Sequence, residues 1–387
     1  MRKRALAALV LSCLSHLPTS ALADDPSARV AAAVEQAYRP LLKAYDVPGL
    51  AVAVTREGHS TVFTFGLADR ERQRPVTRDT LFEIGSVSKT FTATLVSYAQ
   101  GLGRLSLDDA PSRFLPSLRG SALDRISLLD LGTYSAGGLP LQFPDSVTDE
   151  AAMIAYFRRW QPSAPPGTQR LYSNPSLGLF GAAAAASMGG DFAGLVETRL
   201  FPGLGLTHSF IRVPAAKSEH YAWGYGRDGT PIRVNPGVLD GEAYGVKSSA
   251  ADMIRFVEAN IDPGRLDPPM RQAVQGTHVG YVRTDAMVQG LGWEQLPFPI
   301  PLERLQAGNA DPVRFEAQPA APLDPPQVPT GATLFNKTGS TNGFGAYVAF
   351  VPAKRIGLVM LANRAFPIRA RIAAAHAVLE ALAAEAP

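Results

Sequence analysis

The chain has 387 residues, 46% hydrophobic and 18% charged, an ordinary globular composition with enough length for a sizeable core in one large domain or two lobes. Arg2, Lys3 and Arg4 alone account for the net charge of +3 left by 37 basic and 34 acidic residues. The remainder is balanced, which leaves no basic surface to argue for nucleic acid or an acidic membrane partner.

The first segment reads as a secretory leader. The three basic residues precede a short apolar run, Ala5 to Leu14, and a small-residue cleavage site, Ala21-Leu22-Ala23. The run is well short of the roughly 20 residues a membrane span needs. Cutting after Ala23 removes Cys13, the only cysteine, so the mature chain needs no disulfide in an oxidising compartment. The expectation is a periplasmic protein with no membrane anchor after cleavage.

Ser27 to Lys43 predicts an amphipathic helix, with Val30, Val34, Tyr38, Leu41 and Leu42 at helical spacing. Leu50 to Thr55 and Thr61 to Phe65 flank a turn-like segment and predict a hairpin. Helices are expected over Ser86 to Gln100, Leu123 to Thr133, Glu150 to Trp160, Ser176 to Met188, Phe192 to Leu200 and Ser249 to Asn260. Residues 295–330 are Pro-rich and weakly patterned, and read as an extended surface connection. Thr333 to Thr338, Ala346 to Pro352 and Ile356 to Ala362 are strand candidates, and a last helix runs from about Ile368 to Ala384.

Strands at both ends with helices between them predict an α+β fold. One antiparallel sheet is built from the N- and C-terminal strands and flanked by the terminal helices. The expected organisation is a single domain over residues 24–387. Its α/β lobe takes about 24–84 and 261–387, and an inserted, mainly helical lobe takes about 85–260. A cleft is expected where the lobes meet.

Three short motifs carry chemistry. In Ser86-Val87-Ser88-Lys89, the serine and lysine share one helix face. A serine hydroxyl needs a nearby base to become a nucleophile, and free N–H groups at a helix start favour developing negative charge. A solvent-facing helical turn would look the same. In Tyr172-Ser173-Asn174, a tyrosine near ammonium groups has its phenolate favoured and can pass protons. Tyr172 as packing and Asn174 as an N-cap before Pro175 is the bland alternative. In Lys337-Thr338-Gly339-Ser340, the cation and hydroxyl can hold a carboxylate, and Gly339 permits close backbone approach. The N–H of Ser340 can pair with that of Ser86 as an oxyanion hole. A strand ending in a polar turn accounts for the triplet equally well.

The order S-x-x-K, Y-x-N, K-T-G changes the odds, and the surrounding segments add to it. Glu83 to Phe91, Leu131 to Gln142, Tyr221 to Tyr225, Glu242 to Ser248, Lys337 to Phe350 and Val359 to Arg364 together resemble the class C serine beta-lactamases, within the penicillin-recognising serine enzymes. The resemblance implies that Ser86 forms an acyl-enzyme and that Lys89 and Tyr172 share proton transfer, with the base undecided between them. Gln142 and Asn174 would bind the amide side chain of the lactam, and Tyr244 would wall that pocket. Lys337 would support Tyr172 and hold the substrate carboxylate with Thr338, near Arg371. It further implies beta-lactam substrates, cephalosporins especially, antibiotic resistance, no cofactor, no metal and a monomer. Asn342, Ile368 and residues 304–319 depart from the common pattern and put fine specificity in doubt.

Other chemistries lack their signals. The six histidines form no H-x-H or H-E-x-x-H pattern for zinc. Neither a G-x-S-x-G elbow nor a glycine-rich phosphate loop after a strand is present. A D-alanyl-D-alanine peptidase or lactamase-like esterase would use the same acyl chemistry. A non-catalytic penicillin sensor would not need Lys89, Tyr172 and Lys337 together.

Overall fold

The computed structural model describes residues 26–384; the expected leader and its cleavage site lie outside the described residues. Helix α1 (Pro26–Ala44) leads into the hairpin β1 (Gly49–Arg56) and β2 (His59–Asp69), and a short β3 (Arg74–Pro75) follows. The chain then leaves the sheet for a largely helical stretch that includes α2 (Ser88–Gly101), α3 (Asn174–Ser187) and α4 (Ala250–Ile261). It returns as β4 (Gly280–Arg283), β5 (Val288–Gly290) and β6 (Glu294–Pro297), then α5 (Leu302–Gly308), α6 (Asp311–Phe315) and β7 (Ala321–Gln327). The meander β8 (Thr333–Ser340), β9 (Gly345–Val351) and β10 (Ile356–Ala362) precedes the final helix α7 (Ile368–Ala384).

Ten strands make one sheet in the order β7-β4-β5-β6-β8-β9-β10-β1-β2-β3. The pairings are antiparallel, and β10 joins the chain ends by lying along β1, with Leu50 opposite Ala362 and Val54 opposite Leu358. This is the expected α+β architecture.

Strand alternation divides the side chains of the central strands between two cores. Leu50, Val52, Val54, Leu358 and Met360 face a core closed by α1 and α7, to which Val34, Tyr38, Ile372 and Val378 contribute. Ala51, Ala53, Val348, Phe350, Val359 and Leu361 face the other way, onto Phe91, Phe256 and Trp293. Burial on both faces explains why β9 and β10 read as unbroken apolar runs. A third core, centred on Leu123, Leu131, Phe157, Leu177 and Phe180, lies within the helical stretch.

Some boundaries differ from expectation. Ser86 sits in a 3-10 turn, Gly85–Val87, and the α-helix begins at Ser88. The stretch 123–133 divides into a turn, Ala122–Arg125, and a helix, Leu128–Gly132, closed by a Ser127/Asp130 capping box. The larger correction concerns residues 295–330, which are no mere connection. They supply most of β6, both α5 and α6, and the edge strand β7. The side chains of β7 are exposed but for one, and three of its seven residues are prolines, a pattern that hides an edge strand from hydrophobic periodicity.

Candidate active site

The site lies where the start of α2, the start of α3 and the end of β8 converge. Gly85 turns the chain with φ of +52°, and a Cβ there would stand 2.5 Å from the backbone nitrogen of Ser340. A Cβ on Gly339 would stand 2.0 Å from the Ile84 carbonyl oxygen. Both positions are therefore glycine because two backbones touch. The contact sets the Ser86 turn directly against the strand end.

The ladder decides which way Ser340 faces. Thr341 N–H donates to Phe344 O at 3.1 Å, while Ser340 stands opposite Gly345. Alternate residues of an antiparallel ladder turn their N–H groups outward, so the Ser340 N–H points away from β9. On that side β6 begins at Glu294, opposite Asn336, so among the described residues no strand covers Ser340. The Gly85–Ser86 turn lies there instead, and the N–H of Ser86 belongs to a turn start, where backbone donors lack helical partners.

Ser86 is partly exposed, whereas Lys89, Tyr172, Asn174 and Lys337 are buried around it. Lys89 follows Ser86 by three residues, and its Nζ donates to Ser86 Oγ at 3.2 Å, Asn174 Oδ1 at 2.5 Å and Ala243 O at 2.6 Å. The N-cap of α3 is Ser173, whose side chain accepts from Ser176 N, and not Asn174. The capping alternative for Asn174 is thereby corrected: with Ser173 capping, its side chain is available to Lys89.

Tyr172 is held between cations. Lys337 Nζ lies 4.9 Å from its ring centre, Lys89 Nζ 5.1 Å and the Arg170 guanidinium 5.8 Å. Its hydroxyl faces Ser86 and Lys89, without a hydrogen bond of ordinary geometry among the described residues. Burial pushes the phenol up, but the charges of Lys337 and Lys89 outweigh it and bring it down to about 8. Burial also pushes the Lys89 ammonium down to about 8, against the opposing pull of Tyr172. Two groups that ordinarily titrate near 10 are thus brought together close to neutrality, which suits proton exchange with a serine.

Lys337 has an ionic partner that sequence reasoning missed. Its Nζ lies 3.3 Å from Glu294 Oε1, and Arg170 Nη2 lies 3.6 Å from the same oxygen. Arg170 is 1% exposed and is fixed by Gln289 Oε1 at 2.8 Å and Val313 O at 2.9 Å. A buried carboxylate thus anchors the lysine beside Tyr172. Nothing in the local sequence marks Glu294 or Arg170, because their pairing spans more than a hundred residues.

The remaining expected residues divide between two sides of Ser86. Gln142, Asn174 and Tyr244 line one cavity of about 180 Å³, together with Ala243. Ser86, Tyr172, Lys337, Thr338, Gly339 and Ser340 line another of about 60 Å³. The second shares Ser340 and Ile368 with a larger cavity of about 990 Å³, which Asn342 and Arg371 also border. Arg371 is buried, and its Nη1 donates to Gly339 O at 2.7 Å and Ser340 Oγ at 2.9 Å. It therefore braces the end of β8 as well as bordering that cavity. All of the sequence-predicted site residues fall within this one region.

A serine beside a pair of near-neutral proton carriers, facing two backbone N–H groups, is equipped for acyl transfer. Comparison with known proteins identifies the family. The beta-lactamase family model matches residues 34–383. A beta-lactamase of Pseudomonas fluorescens is 51% identical over 349 residues, covering 90% of this chain and 98% of that one. A beta-lactamase/D-alanine carboxypeptidase from Pseudomonas syringae superposes with a TM-score of 0.89 at 45% identity, covering 91% of this chain and 98% of its own. A class C beta-lactamase solved with cefoxitin also gives 0.89, at 44% identity, with 92% and 99% covered. On sequence and fold together, the chain belongs to the beta-lactamase family and has the fold of its class C members.

Proposed function

We propose that this chain is a class C serine beta-lactamase that hydrolyses beta-lactams, cephalosporins especially, through an acyl intermediate on Ser86. The observation that carries the proposal is the buried Lys89–Tyr172–Lys337 cluster, with Lys89 Nζ 3.2 Å from a partly exposed Ser86 Oγ. Ser86 Oγ adds to the lactam carbonyl carbon, and its proton passes to the Lys89–Tyr172 pair. The N–H groups of Ser86 and Ser340 stabilise the resulting oxyanion. The C–N bond then breaks, and Tyr172 delivers the proton to the departing nitrogen. Water attacks the acyl carbon and gives a proton to the same pair; the acyl–oxygen bond then breaks, and the pair returns that proton to Ser86 Oγ.

Lys337, held by Glu294, lowers Tyr172 and presents its charge, with the Thr338 hydroxyl, to the substrate carboxylate. Gly339 allows the close approach, and Arg371 steadies this end. The amide side chain lies toward Gln142, Asn174 and Tyr244. The cellular role that fits is antibiotic resistance, by a monomer exported to the periplasm after cleavage at Ala23.

The test is steady-state hydrolysis of a chromogenic cephalosporin by the chain beginning at Asp24, with a D-Ala-D-Ala peptide in parallel. Rapid cephalosporin turnover with slow or no peptide cleavage is expected. The Pseudomonas syringae relative, described by both activities, favours one second reading, a D-alanine carboxypeptidase. Efficient peptide cleavage with a cephalosporin trapped on Ser86 would put that reading in place of the first.

A further inference from the structure

Glu83 lies three residues before the nucleophile, and the catalytic scheme above does not use it. It is 1% exposed, and three donors converge on its carboxylate. Tyr221 Oη donates to Oε1 at 2.6 Å, Val234 N–H to Oε1 at 2.7 Å, and Thr341 Oγ1 to Oε2 at 2.5 Å. The third bond joins parts of the chain 258 residues apart.

The position of that bond gives it meaning. Glu83, Ile84, Gly85 and Ser86 form one short segment that ends in one oxyanion donor. Gly339, Ser340 and Thr341 form another that carries the second donor. The two segments touch through bare backbone at Gly85 and Gly339. Among the described residues, Glu83 to Thr341 is the hydrogen bond that ties segment 83–86 to segment 338–343. Thr341 is also pinned on its other side, where its N–H reaches Phe344 O. Ser340 is thereby fixed between a backbone contact and a side-chain tether.

We propose that Glu83 and Thr341 form a clamp that sets the spacing between the Ser86 and Ser340 N–H groups, which makes Glu83 a positioning residue for acylation. The inference rests on the reading of those two N–H groups as the oxyanion hole. Donors aimed at a developing oxyanion act only when held in place, and a misplacement of about 1 Å costs on the order of 10²-fold in rate. A loosened clamp leaves the donors present but less well aimed, so a loss of about 10-fold is expected.

The measurements use Thr341→Val, which removes the donor at nearly constant shape, Thr341→Ser, which restores it, and Glu83→Gln. Each is assayed for kcat/KM on a chromogenic cephalosporin and for the inhibition constant of an aryl boronic acid, which becomes a tetrahedral anion when a serine adds to it. Ground-state affinity is read as cephalosporin Kd in the Ser86→Ala background. In Thr341→Val, kcat/KM and boronate affinity should fall together by about 10-fold, with Kd changed less than about 2-fold, because an oxyanion donor acts on the transition state and not the ground state. Thr341→Ser should recover both. Unchanged boronate affinity in Thr341→Val, or a loss confined to Kd or Tm, overturns the clamp. If Glu83→Gln fails to fold, the two Thr341 variants still decide. Wild-type enzyme indifferent to boronates would remove the oxyanion reading itself and the clamp with it; a sensitive wild type with an indifferent Thr341→Val removes the clamp alone.

Discussion

Replacing Tyr172 with phenylalanine separates chemistry from packing, because the two make opposite predictions. The ring keeps its neighbours: Tyr134 at 4.8 Å between centroids, and the ammonium groups of Lys337 and Lys89 at 4.9 and 5.1 Å. The hydroxyl lost is buried and faces Ser86 and Lys89. Removing it leaves the ring packing in place, so Tyr172→Phe should melt within a few degrees of the parent. Activity should change far more. Proton transfer by a positioned group is worth about 10²–10⁴-fold, or roughly 3–5 kcal/mol of barrier at 1.36 kcal/mol per tenfold. The assay is kcat/KM on a chromogenic cephalosporin beside a thermal melt of the same preparation. Normal turnover in the variant would refute the proton-transfer role. So would a loss of turnover tracked by a matching loss of Tm, which would make the hydroxyl structural.

The pH profile tests the electrostatics of the same group. Lys89 and Tyr172 are each brought to about 8, and the form able to take the Ser86 proton is the one that has lost one, so kcat/KM should rise with pH through that region. After burial, Lys337 is the largest influence on Tyr172 and lowers it, so Lys337→Gln should move the rise to higher pH; a limb that stays in place would count against the arrangement. Ser86→Ala should abolish the covalent adduct seen by mass spectrometry and lower turnover by on the order of 10³-fold or more, and a penicillin adduct on another residue would sink the nucleophile assignment. An aryl boronic acid carrying an amide should bind more tightly than its amide-free parent. Asn174 accepts from Lys89 at Oδ1 and keeps its amide nitrogen for a ligand, so Asn174→Ala should narrow that difference, and equal affinities in the parent enzyme would remove Gln142 and Asn174 from the amide site.

What could be read from the chain alone were features whose physics is local. The hairpin of β1 and β2, the meander β8 to β10 and the terminal helices announced themselves by periodicity and apolar runs, because those elements bury whole faces. The motifs around Ser86, Tyr172 and Lys337 were legible because each needs its residues a fixed few positions apart. Folding decided the features that depend on distant partners. The edge strand β7 was missed because its exposed, Pro-rich residues draw their order from pairing with β4. Whether Asn174 caps a helix or holds a lysine was settled by Ser173 taking the cap, which short-range propensity does not separate. Glu294 and Arg170 went unmarked in sequence, and Glu83 stood only as the start of a matching segment, because a buried charge has meaning only beside the group that meets it. Those partners, Lys337 and Thr341, arrive from far along the chain, and only the sheet and the helices packed against it bring them within hydrogen-bond reach.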